Sequence, residues 1–338
     1  MINVAMWGKA LRTIPRITKE EWNELDVVSR WLIASRAAVF IMTVIAAGVG
    51  GLLAYYTGSF NWINFAMCVI GLTFAHATNN LINDYIDYEK GIDHGNYYRS
   101  LYGPQPLEHG LLSKKQLLAY IIVTFSIALA SGIYLVIQTG TPTLVFLLAG
   151  VFFVVFYTWP LKYIGLGEPS VMLVWGPLMV GGTFYAVTGN PINWDIALIG
   201  LVYAIGPTTV LFGKHTDKIV DDKKKGVHTL PVILGERNAR FTTIGLWMLQ
   251  YIFVALLVIY KQYGISFLLV LLALPKLFWA SKIFAKPRPE EAPAELPPNT
   301  WPLYLSSHAF VYNRSFSMLF LLGLIADIVL KSFGVSVL

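Results

Sequence analysis

The side chains in this sequence that could do chemistry carry mostly oxygen ligands, and they fall in two clusters. "NNLINDYIDYEKGID" (79–93) carries Asn83, Asp84, Asp87 and Asp93, while "HTDKIVDDKKKG" (215–226) carries Asp217, Asp221 and Asp222. In the first, His76, Asn79 or Asn80, Asn83 and Asp87 recur at three- and four-residue spacing, which places them on one face of a helix. In the second, Asp217 and Asp221 are spaced i, i+4 and would point the same way, repelling each other unless a positive charge lies between them. Oxygen donors without Cys or clustered His suit a hard cation, and Mg²⁺ in particular binds through a few carboxylates plus substrate phosphates. The combination predicts a diphosphate held through metal bridges.

The elements that must position these groups are membrane helices. Of the 338 residues 56% are hydrophobic and 13% charged, and the mean hydropathy is +0.61. That profile excludes an ordinary soluble domain. Runs able to cross a hydrocarbon core of about 30 Å, which takes roughly 20 helical residues, occur near 37–57, 62–83, 116–138, 142–158, 169–189, 195–213, 240–261, 264–284 and 315–333. The expectation is an all-α, multi-pass membrane protein of about nine helices around a central cavity, one integral-membrane domain over 1–338. With nine spans and an inside N-terminus, only Lys261 and Lys331 of the 25 Lys and Arg fall on the outer side, the asymmetry expected of a cytoplasmic N-terminus. The net charge of +6 follows from the same asymmetry and suits an anionic lipid leaflet rather than nucleic acid. Residues 1–36 lack the apolar core of a cleavable signal. "TKEEWNELDVVSRWLIASR" (18–36) reads instead as an interfacial helix anchored by Trp22 and Trp31.

Both acidic clusters end a membrane helix, the second and the sixth, and open onto connections placed in the cytoplasm. This coarse repeat suggests two similar halves facing one cavity. Polar groups on one face of such a helix must face protein or water. Hydrogen bonding between helices could account for His76 and Asn79, but not for two groups of carboxylates. An apolar helix with a polar end matches the division within a lipid diphosphate, so the apolar walls could take an isoprenoid tail. The third long connection, "AKPRPEEAPAELPPN" (285–299), is proline-rich and acidic and reads as a loose tether. Cys68, within the second span, reads as core packing.

At these residues the chain resembles the UbiA superfamily of intramembrane prenyltransferases, which place two aspartate-rich motifs after helices two and six of nine. "NLINDYIDYEKGID" is similar to the branch that prenylates 1,4-dihydroxy-2-naphthoate in menaquinone synthesis, as are "YTWPLKYIGLGEPSVMLVWGPLMVGGTFY" (157–185) and "GVHTLPVILG" (226–235). The resemblance implies Mg²⁺-dependent transfer of a polyprenyl chain from its diphosphate to a small aromatic acceptor at the cytoplasmic side of the membrane. It implies that Asn83, Asp87 and Asp93 hold one metal–diphosphate unit and Asp217 and Asp221 the other, with Asp84 and Asp222 as further ligands. It also implies diphosphate contacts from Arg36, Tyr157 and Lys162, with help from Arg99. The alternatives are inner-leaflet anchors for Arg36 and Lys162, an interfacial aromatic for Tyr157 and a solvated charge for Arg99. Two features depart from the branch. Gly213 and Lys214 stand where it has an Asn pair, and Asp222 after Asp221 shifts the register to Gly226. Lys214 could contact phosphate or pair with Asp217. Another acceptor (a phenolic acid, a chlorin or a glyceryl lipid) remains an alternative. So does a divalent-cation transporter, which should carry acidic entrances on both faces.

Overall fold

The computed structural model describes residues 2–95, 98, 103–260, 262–297 and 300–334. Three short helices come first: α1 (Val4–Arg12), α2 (Lys19–Glu24) and α3 (Val27–Ala34). The membrane helices are α4 (Ala37–Tyr56), α5 (Trp62–Glu89), α6 (Lys114–Thr139), α7 (Thr141–Phe156), α8 (Gly167–Thr188) and α9 (Trp194–Asp217). After the short α10 (Ile219–Lys224) and α11 (Leu230–Leu234) come α12 (Glu236–Ile259), α13 (Ile265–Phe284) and α14 (Tyr304–Ser332). Among the described residues, eight of these helices are long and apolar enough to cross a membrane, and α7 is the shorter ninth apolar helix. The protein is an integral membrane protein.

The chain divides into two compact units, one of residues 1–48 and 61–160, the other of 49–60 and 161–338. In the first, α5 packs along α6 and against α7. In the second, α9 is the hub. It packs on α8, α12 and α14 and is buried along most of its length, as a helix apolar on all sides must be in protein or lipid.

In the N-terminal segment the two tryptophans expected to anchor in lipid pack against protein. Thr18 and Glu21 do form the capping box of α2, but Trp22 is 1% exposed. Trp31 stacks on Phe74 at 5.3 Å between ring centroids and donates its indole N–H to Thr124 Oγ1 at 3.0 Å. Both indoles are absorbed by the first unit's core, because Ala10, Leu32, Ala77, Leu81 and Leu117 supply a closed apolar bed for them. Asp26 fastens the segment, accepting from the Ser29 amide and the Trp7 indole at 3.0 Å each.

Candidate active site

The first acidic motif is built by the way α5 stops. Lys90 caps the helix and Gly91 follows at φ 68°, a left-handed position that glycine takes at little steric cost. The Gly91 and Ile92 amides then donate back to the Tyr88 and Asp87 carbonyls at 3.0 and 2.8 Å, the paired bonds of a Schellman cap. The reversal returns Asp93 over the last turn, its amide 3.4 Å from the Asp87 carbonyl. Thus "KGID" is a stop signal that brings the backbone of Asp93 back to that of Asp87. Asp84, Asp87 and Asp93 are all buried, at 3%, 8% and 3% exposure.

Arg36 organises the turn before. It sits at φ 58°, a conformation that costs a non-glycine residue roughly 1–2 kcal/mol. From there one guanidinium nitrogen donates to the Asn80 carbonyl (2.9 Å), Asn83 Oδ1 (3.2 Å) and Asp84 Oδ1 (2.6 Å). Asn80 returns a bond to the Ser35 carbonyl at 2.9 Å, so the strained turn is held from both sides. Asn83, oriented by Arg36, donates to Asp87 Oδ2 at 3.0 Å and to Thr158 Oγ1 at 3.3 Å. Tyr157 precedes that threonine at the end of α7. Higher on α5, His76 hydrogen-bonds Thr43 at 2.8 Å and Asn79 donates to the Val154 carbonyl at 3.1 Å. These two bind neighbouring helices, leaving Asn83 and the carboxylates as the chemical end of the stripe.

In the second unit the motif is arranged differently. The i, i+4 reading of Asp217 and Asp221 assumes one continuous helix, and the helix breaks at Lys218, which ends α9 and starts α10. The ion pair at that spacing is Lys218 with Asp222, at 3.2 Å. Asp217 turns inward: Oδ1 accepts from Arg288 Nε (3.1 Å) and the Leu305 amide (2.9 Å), and Oδ2 from the Ser306 amide (3.0 Å). It thereby satisfies the open N–H groups at the start of α14. Asp221 is partly exposed. Lys162 is 9% exposed with its ammonium 5.4 Å from the centre of the Tyr163 ring, and Lys214 lies half-buried on the last turn of α9. Arg99 lies outside the described residues.

Two groupings escaped the sequence. Arg288, inside the segment read as a loose tether, also donates to the Pro302 carbonyl at 2.9 Å and lies 4.2 Å from the centre of the Trp301 ring. Its own amide donates to Glu236 at 2.9 Å. Glu168, in the Gly-x-Gly-Glu stretch, is 0% exposed; its Oε1 lies 2.5 Å from His215 Nδ1 and its Oε2 accepts the Leu230 amide at 3.3 Å.

Among the described residues, no three carboxylate, imidazole or thiolate groups converge as a ready-made metal cluster. The first motif nonetheless fits Mg²⁺. Its donors are all oxygen, buried at a helix end, and Mg²⁺ takes one or two carboxylates and completes its shell with water and substrate phosphate.

A sequence profile described as the UbiA prenyltransferase family matches residues 41–307. The chain is 31% identical over 265 residues to the 1,4-dihydroxy-2-naphthoate octaprenyltransferase of Escherichia coli, covering 75% of this chain and 84% of that protein. Among solved structures, a UbiA homolog from Aeropyrum pernix superimposes with a TM-score of 0.63 at 16% identity, covering 85% of this chain and 97% of the other. A UbiA homolog from Archaeoglobus fulgidus, bound to DMAPP and Mg²⁺, gives 0.55 at 16% identity, over 86% and 98%.

Proposed function

The chain belongs to the UbiA prenyltransferase family and is a membrane-embedded prenyltransferase; on that premise we propose that it transfers a polyprenyl chain from an allylic diphosphate to 1,4-dihydroxy-2-naphthoate. The observation that carries the reading is the buried first motif, where Arg36, Asn83, Asp87 and Asp93 surround the end of an otherwise apolar helix. The acceptor is inferred from the E. coli relative and from the resemblance of "NLINDYIDYEKGID" to that branch.

Asn83, Asp87 and Asp93 would hold Mg²⁺ with the diphosphate. Bound there, a divalent ion would offset the charge that develops on the diphosphate as it departs. Arg36 neutralises Asp84 and fixes the amide of Asn83, so the ligands stand in place before substrate arrives. The C–O bond to diphosphate breaks, a ring carbon of the acceptor bonds to the allylic carbon, and the acceptor's carboxylate leaves as CO₂. The motif lies on the cytoplasmic side in this reading, because the basic residues gather in the same connections.

Purified protein in lipid, given labelled polyprenyl diphosphate, a panel of aromatic acceptors and either Mg²⁺ or EDTA, tests both halves. A Mg²⁺-dependent prenylated naphthoquinol is expected. Product only with another acceptor discards the naphthoate assignment, and product undiminished in EDTA discards the metal.

A further inference from the structure

The two acidic motifs end their helices with the same backbone device, and this sets a register between them. In the second motif Lys225 caps α10 and Gly226 follows at φ 69°. The Gly226 and Val227 amides donate to the Lys223 and Asp222 carbonyls at 3.2 and 2.8 Å. This is the Schellman cap seen at Lys90–Ile92. Matching cap to cap pairs Gly226 with Gly91, Asp222 with Asp87, and Lys218 with Asn83. Asp217 and Asp221 have no carboxylate counterpart, because Ile82 and Ile86 stand at the matching places.

We infer that Lys218 takes the place of a divalent ion at the second motif, which therefore binds no metal in this chain, and that Asp217 is a structural latch. Where the first motif sets a neutral amide one turn before its aspartate, Asn83 Nδ2 donating to Asp87 Oδ2 at 3.0 Å, the second sets an ammonium 3.2 Å from Asp222. Its side chain is 12% exposed and that of Asp222 5%, so the pair is largely shielded and the ammonium already supplies the positive charge. Asp217 has no access to an ion: its side chain is 0% exposed and both oxygens are spent on Arg288 and the α14 amides. Gly213, one turn earlier, makes that contact possible. A Cβ there would lie 2.8 Å from the Ser306 amide nitrogen, so only glycine lets α9 approach α14 closely enough for Asp217 to cap it. The Gly213 departure from the branch thus belongs to the latch. Asp221 alone remains for a metal, against Asp87 and Asp93 in the first motif.

The inference rests on the first-motif reading for the metal that is left, and counting ions separates the two. Mn²⁺ bound per chain is measured by electron paramagnetic resonance on the full-length protein in lipid nanodiscs with inorganic pyrophosphate. Wild type should bind one, Asp87→Asn none, and Asp221→Asn one with unchanged affinity. Lys218→Asn, which copies the first motif, should bind two, using the Asp222 Oδ2 that has no hydrogen-bond partner in its buried position. Arg288→Gln should keep the single ion while its melting temperature falls by several degrees at every Mn²⁺ concentration. Two ions in wild type with one lost in Asp221→Asn, or no gain in Lys218→Asn, overturns the inference. No ion in wild type removes the first-motif reading and leaves the second motif metal-free, as inferred.

Discussion

Two helix ends in this protein finish on the same lysine–glycine stop, yet they hold their carboxylates in opposite ways. At the end of α5 the stop folds the backbone of Asp93 back toward Asp87, and Asn83 donates its amide to Asp87 Oδ2. At the end of α10 the matching place is taken by Lys218, and the aspartate outside the register, Asp217, is sealed under α14. One helix end sets a neutral amide before its aspartate, Asn83 before Asp87. The other, with a cation in that place, has already been answered from within the chain. The lesson is that the spacing of acidic residues does not by itself define a metal motif; the cap fixes which of them share a turn.

The contrast is broken most sharply by Asp87→Asn. Losing one anionic ligand should reduce prenyl transfer by about 10²–10³-fold, by analogy with the loss of one transition-state donor, with little change in melting temperature. Asp217→Ala should do the reverse. It strands Arg288 and uncaps α14, for a loss of about 3–5 kcal/mol as for a broken buried pair, read by thermal unfolding, while transfer at low temperature retains its Mg²⁺ requirement. Gly213→Ala forces a methyl against the Ser306 backbone and should cost about 1–3 kcal/mol, also by thermal unfolding. Gly91→Ala should cost about 1 kcal/mol at its left-handed position and weaken Mn²⁺ binding, because the turn that returns Asp93 is disturbed. If Gly91→Ala leaves Mn²⁺ affinity unchanged, Asp93 is no ligand.

The smallest effect concerns pH. Desolvation pushes the Asp26 carboxyl up, but the Ser29 hydroxyl and amide, the Trp7 indole and the Asn3 amide outweigh it and hold the group well below the usual carboxylate range. A carboxyl depressed on folding stabilises above its unfolded value, near pH 4, and loses that contribution as pH falls toward its folded value. Asp26→Asn should therefore narrow the fall in melting temperature between about pH 5 and pH 3; an unchanged slope would remove Asp26 from the account.

How far the sequence could be read follows from how local each signal is. Nine apolar runs are visible because each is continuous, and the structure sets a helix at each; the fourth is too short to count among the eight candidate spans, and α14 begins at Tyr304, well before its run. The first motif is legible because Asn83, Asp87 and the Lys-Gly stop lie within one helix end. The second misled because Asp217 and Asp221 keep helical spacing across a break that local sequence does not announce. Trp22 and Trp31 read as lipid anchors because nothing near them in sequence reveals Phe74 or Thr124. Arg288 hid in a proline-rich segment, and its partners, Asp217, Glu236 and Pro302, lie 71, 52 and 14 residues away. The Glu168–His215 contact spans 47 residues and has no periodic signature at all.

The 16-residue α7 rises only about 24 Å at 1.5 Å per residue, against a hydrocarbon core of about 30 Å. Hydrophobic mismatch of that size is relieved by local thinning of the bilayer. The helix ends at Tyr157, beside the threonine that receives Asn83, so the lipid leaflet should dimple at the first motif. An amphiphile that carries its charge on a long tail could then reach a buried carboxylate without leaving the membrane.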